Sequence, residues 1–80
     1  MDLHDLKPGD MIINSIGQEA IVQDVHFFDK DARIIFDKAV IGWLDDSSSH
    51  SWIYRYNGKF LKATGDRDET ADIVKVIKHD

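Results

Sequence analysis

The sequence predicts one all-β domain, folded as a five- to six-stranded small barrel or as a strongly bent antiparallel sheet. Three observations lead to this prediction. The apolar runs are short and rich in β-branched residues, turn-forming residues separate them, and no segment shows the periodicity of an amphipathic helix. A closed or strongly bent sheet also protects edge strands that an open sheet of this size would expose.

Length and composition limit the class of protein. Eighty residues, of which 42% are hydrophobic and 31% charged, are enough for a single globular domain spanning 1–80. The absence of cysteine excludes disulfides and thiolate metal sites. No apolar run approaches the ~18 residues of a membrane span, and the acidic start differs from a secretory signal. We therefore expect a cytoplasmic protein that does not bind membranes.

The first half of the chain is expected to form three strands. A turn at Pro8-Gly9 precedes the apolar run 11–13. A longer strand covers 19–28, and its valines fall out of step with strict alternation, which predicts a bulge at 23–24. A third strand follows at 33–37.

The second half contains the strongest turn signal. The apolar run 39–44 is compatible with a strand or a helical turn, and 45–49 is a polar loop. Asn57-Gly58 predicts a type I′ hairpin with a two-residue loop. A polar connection at 64–70, with room for one helical turn, leads to a last β-branched strand at 72–78.

The predicted hairpin register decides which side chains share a face. A two-residue loop at Asn57-Gly58 pairs Arg55 with Phe60 and Tyr54 with Leu61. The two faces of the hairpin are then Trp52, Tyr54, Tyr56 and Leu61 on one side, and Ile53, Arg55, Phe60 and Lys62 on the other.

Charge is distributed unevenly along the chain. The net charge is −5, and the first fifty residues hold ten acidic against four basic residues. The stretch 51–62 contains Arg55, Lys59 and Lys62 and no acidic residue. Because duplex nucleic acid requires a broad basic face, we expect no duplex binding and instead a compact anionic ligand or an acidic protein edge.

The first half of the chain combines a Pro-Gly-Asp turn with a later glycine and spaced small apolar residues, namely Leu6-Lys7-Pro8-Gly9-Asp10, Gly17, Ala20, Val22 and Val25. With these residues, 6–36 resembles the small barrels of the KOW and Src-homology-3-like group. In such domains the Pro-Gly-Asp turn opens the first strand, and the later glycine and valines form the first hairpin and its bend.

The second half combines an aromatic strand, a turn and a closing strand, namely Trp52, Tyr54, Asn57-Gly58 and Asp72-Ile73-Val74. In this combination it resembles small accessory proteins encoded by bacteriophages, some of which sequester nucleotide signals or bind host proteins to counter host defences. The resemblance implies a protein acting in the host cytoplasm.

The leading functional hypothesis is a non-enzymatic protein that sequesters a small phosphorylated, nucleotide-like ligand. Trp52 or Phe60 would stack on a base, Arg55 and Lys62 would neutralise phosphate, and the serine loop would close over the ligand. Because alternation splits these groups between two faces, a homo-oligomer would bring them together. In the alternative, Trp52 and Tyr54 belong to the core. The predicted ligand-binding residues are Ser49, His50, Trp52, Arg55, Phe60 and Lys62.

A second hypothesis is a protein-interaction module that binds and inhibits a host protein. It would use an exposed apolar patch of Ile41, Trp43 and Leu44, with an acidic rim at Asp45 and Asp46.

Catalysis, metal binding and cofactors are not expected. His50 within the run 47–51 suggests a nucleophile and base, but no positioned third group accompanies them, so a solvated loop is the better interpretation. The histidines are dispersed along the chain and match no metal-ligand spacing. The protein is therefore expected to be a binding protein and not an enzyme.

Overall fold

The computed structural model of the chain describes residues 1–37, 51–61 and 69–79. Its strands are β1 (Met11–Asn14), β2 (Glu19–Phe27), β3 (Asp31–Asp37), β4 (Ser51–Arg55), β5 (Phe60–Leu61) and β6 (Ile73–Ile77). A single 3-10 turn, Glu69–Ala71, precedes β6, and these ranges contain no α-helix. None of the described segments is a helix of the length and apolarity that crossing a bilayer requires. The all-β prediction is confirmed.

The six strands form one antiparallel sheet in the order β5-β4-β3-β2-β1-β6, curled into a half-barrel. β2 bends the sheet, because its first residues pair with β1 and the remainder pairs with β3. The β2–β3 register shifts between Val22 and Asp24, which confirms the predicted bulge. The two edges approach each other where the N–H of Ile73 donates to the Gly58 carbonyl at 2.8 Å.

The core occupies the concave side of this sheet. Inward positions of every strand alternate with outward ones, and the N-terminal segment adds two leucines. Each large apolar side chain that is fully buried contributes roughly 1.5–3 kcal/mol. The buried cluster is Leu3, Leu6, Ile12, Ala20, Val22, Ile34, Phe36, Tyr54, Phe60, Ala71 and Ile73.

The β4–β5 turn has a three-residue loop, so the predicted two-residue loop is wrong. The N–H of Arg55 donates to the carbonyl of Lys59 at 2.8 Å, and the N–H of Gly58 donates to the carbonyl of Arg55 at 2.9 Å. Tyr54 therefore pairs with Phe60, whereas the sequence prediction paired Arg55 with Phe60. The physical reason is packing, because this register turns both Tyr54 and Phe60 into the core.

Gly58 is required by this turn for two reasons. Its φ of +93° lies in the left-handed region, which side chains with a Cβ rarely adopt. A Cβ at this position would lie 2.3 Å from the Ile73 carbonyl oxygen and 2.8 Å from Met1 Sδ. Gly58 thus permits this turn and allows β6 to approach it closely.

We predict that Gly58→Ala lowers the free energy of unfolding by at least about 2 kcal/mol, because backbone strain and a clash with β6 act together. Gly17→Ala is the matched control. Gly17 also has a positive φ, +85°, but no atom lies within 4 Å of its Cβ position, so it should lose only about 1 kcal/mol. Urea unfolding of the two variants gives the comparison, and equal losses would contradict this role of Gly58.

The predicted turn at Pro8-Gly9 is confirmed. The N–H of Asp10 donates to the carbonyl of Lys7 at 3.1 Å, and Gly9 has a φ of +96°, as a type II turn requires. The turn is held against β2, since the N–H of Val22 donates to the carbonyl of Asp10 at 2.8 Å.

This turn positions a buried carboxylate that fixes the end of the chain. Asp10 is fully buried and accepts hydrogen bonds from Lys78 Nζ at 2.8 Å, from the N–H of His79 at 2.9 Å and from the N–H of Lys7 at 3.1 Å. Removal from water raises the pKa of the Asp10 carboxyl, but these hydrogen bonds outweigh this effect and hold the pKa below its ordinary value. Asp10 therefore anchors the residues after β6 to the first turn.

The lowered pKa predicts the direction of the pH dependence. Folded Asp10 binds a proton less readily than the unfolded chain does. Its stabilisation is therefore complete above the ordinary Asp pKa of about 3.9 and is lost as the pH falls through the lower folded value. Asp10→Asn should cost about 1–3 kcal/mol at pH 7 and should flatten the acid limb of the stability curve. Chemical unfolding between pH 7 and pH 2 measures both effects, with the exposed Asp29→Asn as control; an unchanged acid limb would contradict this account.

Candidate functional site

The aromatic residues predicted to stack on a ligand lie in or against the core. Phe60 is buried, with its ring centroid 4.9 Å from that of Trp52 and 5.5 Å from that of Tyr54. Trp52 is half-buried and also contacts Phe36, at 5.9 Å. Tyr54 is fully buried, and its hydroxyl donates to the carbonyl of Ala71 at 2.8 Å. The alternative that placed Trp52 and Tyr54 in the core is confirmed for Tyr54, whereas Trp52 packs against the core and is only half-buried.

Arg55 does not share a face with Phe60. Phe60 points inward beside Tyr54, and Arg55 is exposed on the opposite, outer side of the sheet. The predicted pocket that combined Arg55 with Phe60 is therefore wrong, because the observed register places the two side chains on opposite sides of the sheet. The other residues of the two functional hypotheses lie outside the described residues: Ser49, His50 and Lys62 for the ligand, and Ile41, Trp43, Leu44, Asp45 and Asp46 for a protein partner.

The outer side of the sheet places different residues beside Arg55. Asp31 is its cross-strand partner on β3, and the N–H of Phe28 donates to the carbonyl of Asp31 at 2.8 Å. Lys59 lies across the turn from Arg55, since the Lys59 carbonyl accepts a hydrogen bond from the Arg55 N–H. One outward row therefore runs from Phe28 through Asp31 and Arg55 to Lys59.

Arg33 lies in the next outward row. It pairs with His26 on β2 and with Ile53 on β4. Arg55 is two residues beyond Ile53, so Arg33 and Arg55 are diagonal neighbours, whose backbones are separated by about 7–8 Å in such a sheet. Both side chains are long enough to reach one ligand across this distance. We call Phe28, Arg33, Arg55 and Lys59 the outer basic face.

The charges of the outer basic face are available to a ligand. Arg33, Arg55 and Lys59 are exposed, and none of them forms an ion pair with a carboxylate in the described part of the chain. The carboxylate of the nearby Asp24 lies beside His26 and not beside these cations, with its Oδ2 3.7 Å from His26 Nε2. These three cations outnumber Asp31, the carboxylate in the same row, so they form a local anion-attracting surface on a chain with a net charge of −5.

A second exposed feature lies where β2, the β4–β5 turn and the N-terminal segment meet. The rings of His4 and Tyr56 stack with centroids 3.7 Å apart and planes inclined by 10°. Phe27 adds a ring 6.3 Å from that of Tyr56, and it is 48% exposed. The Tyr56 hydroxyl donates to the carbonyl of Phe28 at 2.5 Å, which fixes the stack to the end of β2. We call His4, Phe27 and Tyr56 the aromatic end.

Sequence reasoning missed most of these residues. Arg33 and Phe28 lie far from the hairpin in sequence, and only the pairing of β2, β3 and β4 brings them to Arg55. One signal was present: two adjacent phenylalanines, Phe27 and Phe28, cannot both face the core of a strand that alternates.

Comparison with protein-family models, with curated proteins and with solved structures finds no match to this chain. The resemblances to small barrels and to phage accessory proteins therefore remain predictions. Among residues 1–37, 51–61 and 69–79, no three histidine, aspartate or glutamate side chains are grouped as a metal site requires.

Proposed function

We propose that this protein is a non-enzymatic binding protein that holds a small phosphorylated, nucleotide-like ligand on its outer basic face. The observation that supports this proposal is the set of exposed cations Arg33 on β3, Arg55 on β4 and Lys59 beside the β4–β5 turn, none of which forms an ion pair within the described residues. This site replaces the predicted pocket while keeping Arg55 as the central phosphate-binding residue.

The chemistry of the face suits a nucleotide. The guanidinium groups of Arg33 and Arg55 donate paired hydrogen bonds that match phosphate oxygens, and Lys59 adds a point charge. Phe28 is 52% exposed at the end of the same row and offers a ring on which a base can stack. Asp31 lies between Phe28 and Arg55, where its carboxylate suits sugar hydroxyls better than phosphate.

The small extent of the basic surface favours a small ligand. Two arginines and one lysine neutralise one or two phosphates, whereas the net charge of −5 repels a long polyanion. On the resemblance to phage accessory proteins, the ligand would be a nucleotide signal of the host, bound in the host cytoplasm. Binding without turnover then removes the signal.

Isothermal titration with a panel of cyclic and linear nucleotides tests this proposal. We expect at least one nucleotide to bind, and Arg55→Gln to weaken that binding about tenfold or more, because charge-assisted hydrogen bonds contribute about 1.5–3 kcal/mol. Arg33→Gln should act in the same direction. Neither change removes a buried contact, so both variants should remain folded.

Lys75→Gln is the matched control, since Lys75 is an exposed cation on β6, which pairs with β1, and is not a residue of the outer basic face. It should bind the nucleotide as the unmodified chain does. Two results would contradict the proposal: no binding of any nucleotide at high micromolar concentration, or an equal loss of affinity in Lys75→Gln and Arg55→Gln.

A further inference from the structure

The aromatic end lies beside a negative charge, whereas the outer basic face carries positive charges. Asp2 lies next to it, and its Oδ1 accepts hydrogen bonds from the backbone N–H of His4 at 2.9 Å and from His4 Nδ1 at 2.5 Å. The hydrogen bond from the His4 backbone N–H has the largest effect and lowers the pKa of the Asp2 carboxyl. The hydrogen bond from the His4 ring lowers this pKa further. Asp2 is therefore an ionised carboxylate at neutral pH, held against the edge of the His4 ring.

The second oxygen of this carboxylate is available. Both hydrogen bonds from His4 use Oδ1, and Oδ2 has no partner in the described part of the chain. The Asp2 side chain is 72% exposed and the His4 side chain 62% exposed. An ionised oxygen thus faces solvent beside a stack of aromatic rings.

We infer that the aromatic end is a docking site for an arginine side chain of a protein partner. A guanidinium group stacks on an aromatic ring while its N–H groups donate to a carboxylate, and the exposed His4 ring and the Asp2 carboxylate hydrogen-bonded to it supply those two components together. The planar guanidinium fits a ring face better than a compact ammonium group does.

Long-range charge favours the same partner. Residues 1–37, which supply Asp2, His4 and Phe27, contain eight acidic residues against three lysines and arginines. Arg55 and Lys59, the cations closest to Tyr56 in sequence, project from the outer face of the sheet. A partner that carries arginine is therefore attracted before contact.

The aromatic end and the outer basic face are separate sites. A nucleotide on the outer basic face and an arginine at the aromatic end use different residues and opposite charges. Loss of one function need not affect the other, so the protein would join a small ligand and a protein partner through two surfaces.

The test uses the full chain and a synthetic peptide of alternating glycine and arginine, with a matched peptide in which citrulline replaces arginine. Citrulline keeps the shape of the side chain and removes its charge. In two-dimensional NMR titrations we expect the arginine peptide to shift the amide signals of His4, Phe27 and Tyr56, and the citrulline peptide to leave them unchanged.

Variants assign the binding to the proposed groups. Asp2→Asn should weaken binding of the arginine peptide about tenfold. His4→Leu, which removes the ring beside Asp2, should weaken it about threefold. Asp24→Asn removes an exposed carboxylate from β2 and should have no effect. Equal binding of the citrulline peptide, shifts confined to other residues, or an equal loss in Asp24→Asn would overturn the inference, whatever the nucleotide titrations show.

Discussion

The three-residue turn between β4 and β5 is the constraint on which the rest of the structure depends. Gly58 adopts a positive φ there, accepts the N–H of Ile73 and leaves no space for a side chain. The neighbouring Tyr56 carbonyl accepts the N–H of Leu3 at 2.9 Å. One turn therefore fixes the hairpin register, brings the two edges of the curled sheet together and holds the N-terminal segment against it.

The register separates the chemistry of the two surfaces. Along β4 and its turn, alternate residues face opposite sides, so Tyr54 and Phe60 complete the core and Arg55 faces solvent. Tyr56 then joins the aromatic end, next in sequence to a member of the outer basic face. A shift of one residue would exchange these environments, exposing a core ring and turning a guanidinium group inward, which a small core cannot accommodate.

Local chemistry predicted much of the fold, and tertiary packing decided what it could not. The Pro8-Gly9 turn and the bulge at 23–24 depend on neighbours in sequence, and both were predicted correctly. Asn57-Gly58 is compatible with two loop lengths, because glycine at a positive φ serves either. Only the packing of Tyr54 on Phe60 selects the longer loop. The candidate site could not be predicted from the sequence for the same reason. Arg33 becomes a neighbour of Arg55 only when β3 pairs with β4.

The hairpin register can be measured directly in solution. In an antiparallel ladder, the two residues of a pair that is not hydrogen-bonded bring their α-protons close together. The observed turn makes Tyr54 and Phe60 such a pair, because Arg55 and Lys59 form the hydrogen-bonded pair before it. A strong nuclear Overhauser effect between the α-protons of Tyr54 and Phe60 is predicted. The same signal between Arg55 and Phe60 would contradict the register, and with it the outer basic face.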